Sequence, residues 1–326
     1  MHDLGGHIAE AYSLGAGAWS VAPVARGALG QIWKLSGGGS SWAVKELLFG
    51  CDEEQVGREA GLRRAAEDLG IASPRLMPNR HGAYVSRLSA ASGESWVKLY
   101  DWIDGTTADA SDPEILDWFG RTMALLHRAG EGAGETPGPW YTQCPRDADW
   151  KDLHEKVRYA GLLWSDELGR FIDTSAAELG RWVTSVDPVD VVTSHLDLQP
   201  QNVLVGRDGP VLLDWDNAGP ASAEQELARA VYVWSGGNQI DMDSARRVAR
   251  AYRRAGGRAV IAGPQSFAML FATALNFIRV QAECAIDPTV TAAQREFASD
   301  QVVASLRTVP AMATVSQLTA ALETVW

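Results

Sequence analysis

Cysteine is scarce in this chain. Cys51, Cys144 and Cys284 are far apart, odd in number and without metal-ligand spacing. That excludes a disulfide framework and a zinc cage, and it fits a reducing compartment. Positive charge is also short. The 29 Lys and Arg residues stand against 41 Asp and Glu, for a formal charge of −12 and a sequence pI near 5.0. Nucleic acid is therefore not expected as a partner, because phosphate backbones are met by lysine and arginine. A cationic small molecule is the better-matched partner. Long apolar runs are missing too: the stretch at residues 267–278 contains Asn276 and falls short of the roughly 20 residues that cross a bilayer. Asp3 and Glu10 stand where a signal peptide would carry a basic segment and then an apolar core. No membrane association is expected, and the location expected is cytoplasmic. There is no internal repeat, and the 46% hydrophobic and 21% charged residues are ordinary for a globular chain.

Against these absences one stretch stands out: Ser194-His195-Leu196-Asp197-Leu198-Gln199-Pro200-Gln201-Asn202, followed by Leu213-Asp214-Trp215. An Asp, an Asn soon after it and a second Asp closing an apolar run are the groups that phosphoryl transfer needs. One carboxylate accepts the proton of an attacking hydroxyl, while an amide and the other carboxylate hold Mg²⁺. The β-branched run at residues 189–193 reads as a strand leading into His195. Two short apolar runs around Arg207-Asp208-Gly209-Pro210 read as a β-hairpin. Such a hairpin brings Asn202 and Asp214, both hard oxygen donors, to the same end. His195 is read as a scaffold for the loop, and Asp208-Gly209 as a plain turn.

This segment resembles the aminoglycoside phosphotransferase family, whose pattern is His-Gly-Asp-Leu, a Pro, an Asn, then Ile-Asp-Trp or Ile-Asp-Phe. The matching positions are His195, Asp197, Leu198, Pro200, Asn202, Asp214 and Trp215. Leu196 departs from the pattern, since the family favours Gly there and protein kinases favour Arg. The resemblance implies an α+β, bilobal, protein-kinase-like fold, with a small antiparallel-sheet lobe and a larger, mostly helical one. It also implies Mg²⁺ as cofactor, ATP or GTP as co-substrate and a small-molecule acceptor. Residues 1–102 would form the first lobe and residues 103–326 the second. The catalytic loop would lie at 193–216, with helices at about 140–185 and 240–326 walling the acceptor site.

Upstream, Trp42-Ala43-Val44-Lys45-Glu46-Leu47 reads as a strand carrying the lysine for the α- and β-phosphates. Val56, Leu62, Ala65, Ala66 and Leu69 recur at helical spacing after it. Glu59, mid-helix, is chosen over Glu54 and Glu67 as the partner of Lys45. Gly27 and Gly30 mark a candidate phosphate-covering loop at residues 26–33, though no Gly-x-Gly-x-x-Gly is present. Residues 97–105 read as a strand ending in a connector, with Leu99, Tyr100, Asp101 and Trp102 as the span that would pair with adenine. Acidic residues Asp101, Asp104, Asp109, Asp112, Glu114 and Asp117 follow it with no Lys or Arg among them. They read as a solvated helix start or as the rim of a cleft.

Helical periodicity continues through residues 140–182, 243–256, 265–287 and 291–307. Trp140, Trp150, Trp164, Trp182 and Trp234 are candidates for an acceptor-site wall or for core. Asp216 is a candidate for a substrate amine, for metal ligation or for fixing its loop, and Glu224 is a weaker substrate candidate. Glu226 stands where the family has Asp and reads as structural. Three functions compete: a kinase for an aminoglycoside or basic peptide antibiotic, a metabolic kinase for an amino sugar, choline-like alcohol or amino-acid hydroxyl, and a nucleotide-binding pseudoenzyme or regulator. Lys45, Asp197, Asn202 and Asp214 together count against the third. The missing Arg and the lack of an Ala-Pro-Glu after Asp214 count against a protein kinase. Oligomeric state is not legible.

Overall fold

The structure, a computed structural model, describes residues 4–27, 30–48, 50–90 and 93–326. Along the chain run α1 (Gly5–Ala11), β1 (Ser20–Arg26), β2 (Gly30–Gly37), β3 (Ser40–Leu47), α2 (Glu53–Asp68), β4 (Leu76–Met77), β5 (Ser86–Ala90), β6 (Gly93–Asp101), β7 (Gly105–Thr107), α3 (Pro113–Ala129), α4 (Pro139–Thr142), α5 (Asp147–Tyr159) and α6 (Ser165–Phe171). Then come α7 (Ala177–Gly180), β8 (Val191–Ser194), β9 (Val203–Gly206), β10 (Gly209–Leu212), β11 (Gly219–Ser222), α8 (Ala223–Trp234), α9 (Met242–Arg254), α10 (Ala268–Ile286), α11 (Ala292–Thr308) and α12 (Met312–Leu322). The chain divides into two compact units, residues 1–108 with 201–218, and residues 109–200 with 219–326.

The first unit is an antiparallel sheet in the order β1-β2-β3-β6-β4, with β5 also paired to β6. Gly37 pairs with Ser40, which leaves Gly38 and Gly39 as a two-residue turn, both at positive φ. Glycine takes that conformation without a Cβ clash, so the Gly-rich tip sets the β2–β3 register. Leu35, Val44, Val97 and Leu99 form the buried face and receive Leu4, Ile8 and Tyr12 of the α1 region. The Tyr12 hydroxyl donates to the Val97 carbonyl at 2.9 Å. Helix α2 starts at Asp52, whose carboxylate accepts from the backbone N–H groups of Glu54 and Gln55. Its buried positions are Val56, Glu59, Leu62, Arg63 and Ala66, so two charged residues interrupt the apolar stripe.

The expected boundary at residue 102 is displaced. Strand β7 pairs with β9, the Ala108 N–H donates to the Val203 carbonyl, and the Leu212 N–H donates to the Ala72 carbonyl. These bonds hold the β9–β10 hairpin in the first unit, which splits the expected catalytic loop of 193–216 between the two units.

The second unit is mostly helical. Asp112 caps α3 and Pro113 occupies its first turn, where a missing N–H costs nothing. Gly120 lets α3 approach α9 closely, since a Cβ there would lie 2.4 Å from the Val248 carbonyl oxygen. Gly130 ends α3 against β8 in the same way, 1.7 Å from the Thr193 oxygen. The apolar stretch at residues 267–278, expected to fall short of a bilayer span, belongs to a longer helix. With the preceding 3₁₀ turn the helix spans Pro264–Ile286, 23 residues, enough by length and composition to cross a membrane. In this fold α10 packs against α4, α5, α8 and α11. Asn276 donates to the carbonyls of Trp140 and Gln143 at 2.9 and 2.7 Å. It is a core helix of this unit.

Candidate active site

In the first unit the β9–β10 hairpin turns through Arg207 and Asp208, with Gly206 paired to Gly209. The Leu213 N–H donates to the Asn202 carbonyl at 2.8 Å and closes the hairpin base, which sets Asn202 and Asp214 at the same end. Asp214 has φ 56° and ψ 65°, in the left-handed region. Asp enters that region more readily than most residues. Its carboxylate Oδ1 lies 2.5 Å from Lys45 Nζ, and Asp216 Oδ2 lies 2.7 Å from the same nitrogen.

The partner expected for Lys45 is not the one it has. Glu59 Oε2 is bonded to Lys98 Nζ at 2.5 Å, and Lys98 also reaches Asp216 Oδ1 at 2.8 Å. The reason is register. Lys45 and Lys98 are directly opposite each other across β3 and β6, so two ammonium groups emerge side by side. Glu59 sits beside Lys98, where the Tyr100 hydroxyl donates to it at 3.1 Å and Arg63 lies 3.9 Å away. Lys45 turns instead to the aspartates. Three cations, Lys45, Lys98 and Arg63, thus face three carboxylates, Glu59, Asp214 and Asp216.

Burial pushes the Lys45 ammonium toward neutrality, but the charges of Asp214 and Asp216 outweigh it and hold its pKa above the ordinary lysine value. Burial acts on Lys98 in the same sense, and Glu59 and Asp216 overcome it. Burial pushes the Asp216 carboxyl up, and Lys45 and Lys98 bring it below the usual range. The Tyr100 phenol is pushed well up by burial and then by Glu59.

The Asp214 side chain is 40% exposed and that of Asp216 only 12%, so Asp214 is the carboxylate open to a ligand. Asn202 and Asp214 offer hard oxygen donors of the kind Mg²⁺ takes while keeping waters and phosphate oxygens as its other ligands. Among the described residues no group of three or more His, Cys, Asp or Glu side chains converges on a metal position.

The remaining candidates of this unit divide. Leu99 is fully buried core. Leu99 and Tyr100 lie inside β6, paired to β3 on one side and β4 on the other. The Asp101 N–H donates to the Arg75 carbonyl. Their main-chain groups serve the sheet, and coil begins only at Trp102, still within the first unit. Trp102 Nε1 donates to Asp104, and Lys34 Nζ stands 4.2 Å above its ring. The Gly27 N–H donates to the Gly30 carbonyl at 2.9 Å. A Cβ on Gly30 would come within 2.9 Å of the Glu46 carbonyl oxygen and 3.2 Å of Lys45 Cε. Ala28 and Leu29 of the expected covering loop lie outside the described residues.

In the second unit β8 delivers Asp197 through Leu196, which has φ 64°. That left-handed backbone is the physical reason for a glycine in the resembled pattern. Here a leucine bears it. Leu196 is buried with Ala221 and Met269. Its N–H donates to Glu226 Oε1 at 2.9 Å, and its carbonyl accepts from Arg229 at 3.0 Å. Further along, the Leu198 carbonyl accepts from Trp234 Nε1 at 3.0 Å. One helix, α8, thereby grips the loop on both sides of Asp197. Asp197 itself accepts from Gln199 Nε2 and lies 3.7 Å from Arg229.

Glu226 is anchored in turn by His127 Nε2 at 3.0 Å, and His127 Nδ1 meets the Tyr252 hydroxyl at 2.9 Å. Burial pushes the Glu226 carboxyl up, but His127 and the Leu196 N–H outweigh it and hold it low. Trp234 is not an acceptor wall. It is 1% exposed and stacks on Phe119 with centroids 4.0 Å apart. Glu224 is engaged too, accepting from Ser266 at 2.5 Å while its N–H donates to Asp190. Asp216, between two lysines, is a loop-fixing acceptor and is not placed for a substrate amine. Of the acidic run, Asp112 caps α3, Asp109 accepts from Ser111, and Asp117 pairs with Arg247 and Arg254.

A family model described as the phosphotransferase enzyme family matches residues 20–268. The chain belongs to that family. It is a kinase-type enzyme with an alcohol group as acceptor. None of the curated proteins matches it in sequence. Among solved structures it resembles the spectinomycin phosphotransferase APH(9)-Ia in complex with ADP and spectinomycin, at 15% identity and TM-score 0.61 over 90% of this chain and 93% of that one. It also resembles an amicoumacin kinase in complex with AMP-PNP and Ca²⁺, at 15% identity and TM-score 0.58 over 89% of each chain. A microcompartment-associated aminopropanol kinase is similar as well, at 15% identity and TM-score 0.56 over 88% of this chain and 90% of that one. At such identity these likenesses show the fold, α+β and protein-kinase-like.

Proposed function

We propose that this phosphotransferase moves the γ-phosphoryl group of ATP or GTP to a hydroxyl of a small cationic molecule, an aminoglycoside or basic peptide antibiotic. The observation that carries the reaction is Asp214, turned by its left-handed backbone toward the buried Lys45 at 2.5 Å and set with Asn202 at one end of the hairpin. Asn202 and Asp214 would hold Mg²⁺, which when bound offsets the negative charge of the phosphates. Lys45, held by Asp216, adds its own charge to them. Asp197 orients the acceptor hydroxyl and takes its proton as the oxygen attacks the γ-phosphorus, while the bond to the bridging oxygen breaks and ADP or GDP leaves. The protein contributes position and fixed charge, with no covalent step of its own.

The net charge of −12 supports a cationic acceptor. The three free cysteines suit a reducing compartment, and we assign the activity to the cytoplasm. The test is Mg²⁺-dependent release of ADP from ATP across a panel of aminoglycosides, basic peptide antibiotics, amino sugars and amino alcohols. Stimulation by one antibiotic class is the expected result. Stimulation only by an amino alcohol or amino sugar would move the enzyme to the metabolic kinases, and tight nucleotide binding without turnover on any of them would contradict the acceptor class.

A further inference from the structure

Lys98 is a buried cation of the first unit that the reaction scheme leaves unused. It is 2% exposed, and its two partners, Glu59 and Asp216, are themselves buried or nearly so. A lysine is buried this deeply only when its charge is matched. The match here has a direction. Starting at α2, Glu59 holds Lys98, Lys98 holds Asp216 Oδ1, Asp216 Oδ2 holds Lys45, and Lys45 meets Asp214. Charges alternate at every step, and the chain ends on the one carboxylate of the three that is substantially exposed. Without Lys98, the Asp216 carboxylate would keep Lys45 alone, and Lys45 would be aimed by an oxygen no longer tied to α2.

We infer that Lys98 is a positioning residue for the Mg²⁺–nucleotide site, taking the place beside Glu59 that Lys45 was expected to fill and transmitting the anchorage of α2 to Asp216. The inference rests on the reading of Asn202 and Asp214 as the metal-binding pair. Lys98 touches neither nucleotide nor metal in this scheme. Its effect reaches the site through Asp216 and then Lys45, a step further out than a direct partner of a metal ligand. Loss of a direct partner lowers metal affinity by about 10–100-fold, so loss of Lys98 belongs at the low end, about 10-fold.

The test measures nucleotide binding by titration calorimetry, with ATP alone and with ATP plus Mg²⁺, so that the gain Mg²⁺ gives is read separately from nucleotide affinity itself. Lys98→Met removes the charge but leaves the buried Glu59 without its nearest cation, and it can fail to fold for that reason alone. The double variant Lys98→Met/Glu59→Gln removes one cation and one anion together, so Lys45 and Arg63 still balance Asp214 and Asp216. The expected result is a thermal midpoint near wild type in the double variant with the Mg²⁺ gain reduced about 10-fold. Lys98→Arg, which keeps the charge, should recover part of that gain. A double variant that folds and keeps the full Mg²⁺ gain would overturn the inference and leave Lys98 as plain packing. A wild type in which Mg²⁺ gives no gain would instead overturn the metal-site reading beneath it.

Discussion

Removing the Glu226 carboxylate should destabilise the second unit by an amount that its partners fix. In Glu226→Ala the buried Leu196 N–H loses its acceptor and His127 Nε2 loses its hydrogen-bond partner. An unsatisfied buried group costs about 1–3 kcal/mol, and more where its lost partner was charged, so the two groups together set the loss at about 3–5 kcal/mol. Unfolding entropy of about 2.1 cal/mol/K per residue gives roughly 0.7 kcal/mol/K for a chain of 326 residues. The midpoint should therefore fall by about 4–7 °C, and by more if this unit unfolds on its own. Glu226→Gln keeps an acceptor for Leu196 and should cost only about 1–1.5 kcal/mol. Acid adds a second signature. The Glu226 carboxyl is held below its ordinary value, so its stabilisation is present above the unfolded value of about 4.3 and is lost as pH falls through the lower folded value. Wild type should thus lose more stability than Glu226→Gln on acidification below about pH 4.5. The assay is thermal and urea unfolding followed by far-ultraviolet circular dichroism. An alanine variant within 0.5 kcal/mol of wild type, or a glutamine variant as damaged as alanine, would refute the reasoning.

Other substitutions test the remaining geometry. Asp214→Ala should abolish the part of nucleotide affinity that depends on Mg²⁺, and unchanged affinity in calorimetry would remove its metal role. Gly30→Ala should push on the Glu46 carbonyl and the Lys45 stem, costing about 1–3 kcal/mol and weakening nucleotide binding; wild-type affinity would show that the strand yields freely. Gly130→Ala should destabilise more strongly, because the new methyl meets the Thr193 backbone at 1.7 Å. A melting temperature equal to wild type would contradict that packing.

Much of this fold is legible in the sequence because local rules act alone there. The strand carrying Lys45, the helix through Glu59, the acidic helix start at Asp112 and the hairpin around Arg207-Asp208 are each fixed within a few residues. What escapes reading depends on which strands become neighbours. Lys98 has no special sequence signal until β6 is laid against β3, and only then does it compete with Lys45 for Glu59. A lysine between Val97 and Leu99, both fully buried, was the available hint. Strand β6 runs past Leu99 to Asp101 because β4 pairs with its end, and a two-residue strand leaves almost no pattern to find. Leu196 was visible as a departure from glycine, but its positive φ, and the Glu226 and Arg229 bonds that sustain it, come from α8, which packs there only in the folded unit. Trp234 shows the limit of residue type as a guide. A tryptophan suits a binding wall or a core equally, and its bond to Leu198 decides for the core.

The most direct test of phosphoryl transfer is to compare wild type and Asp197→Ala on the first acceptor that stimulates Mg²⁺-dependent ADP release, measuring turnover and Mg²⁺–ATP binding in the same preparations. The proton-accepting role predicts turnover reduced by about 10²–10⁴-fold, the usual contribution of a positioned base, with nucleotide affinity unchanged. Full turnover in Asp197→Ala would contradict it.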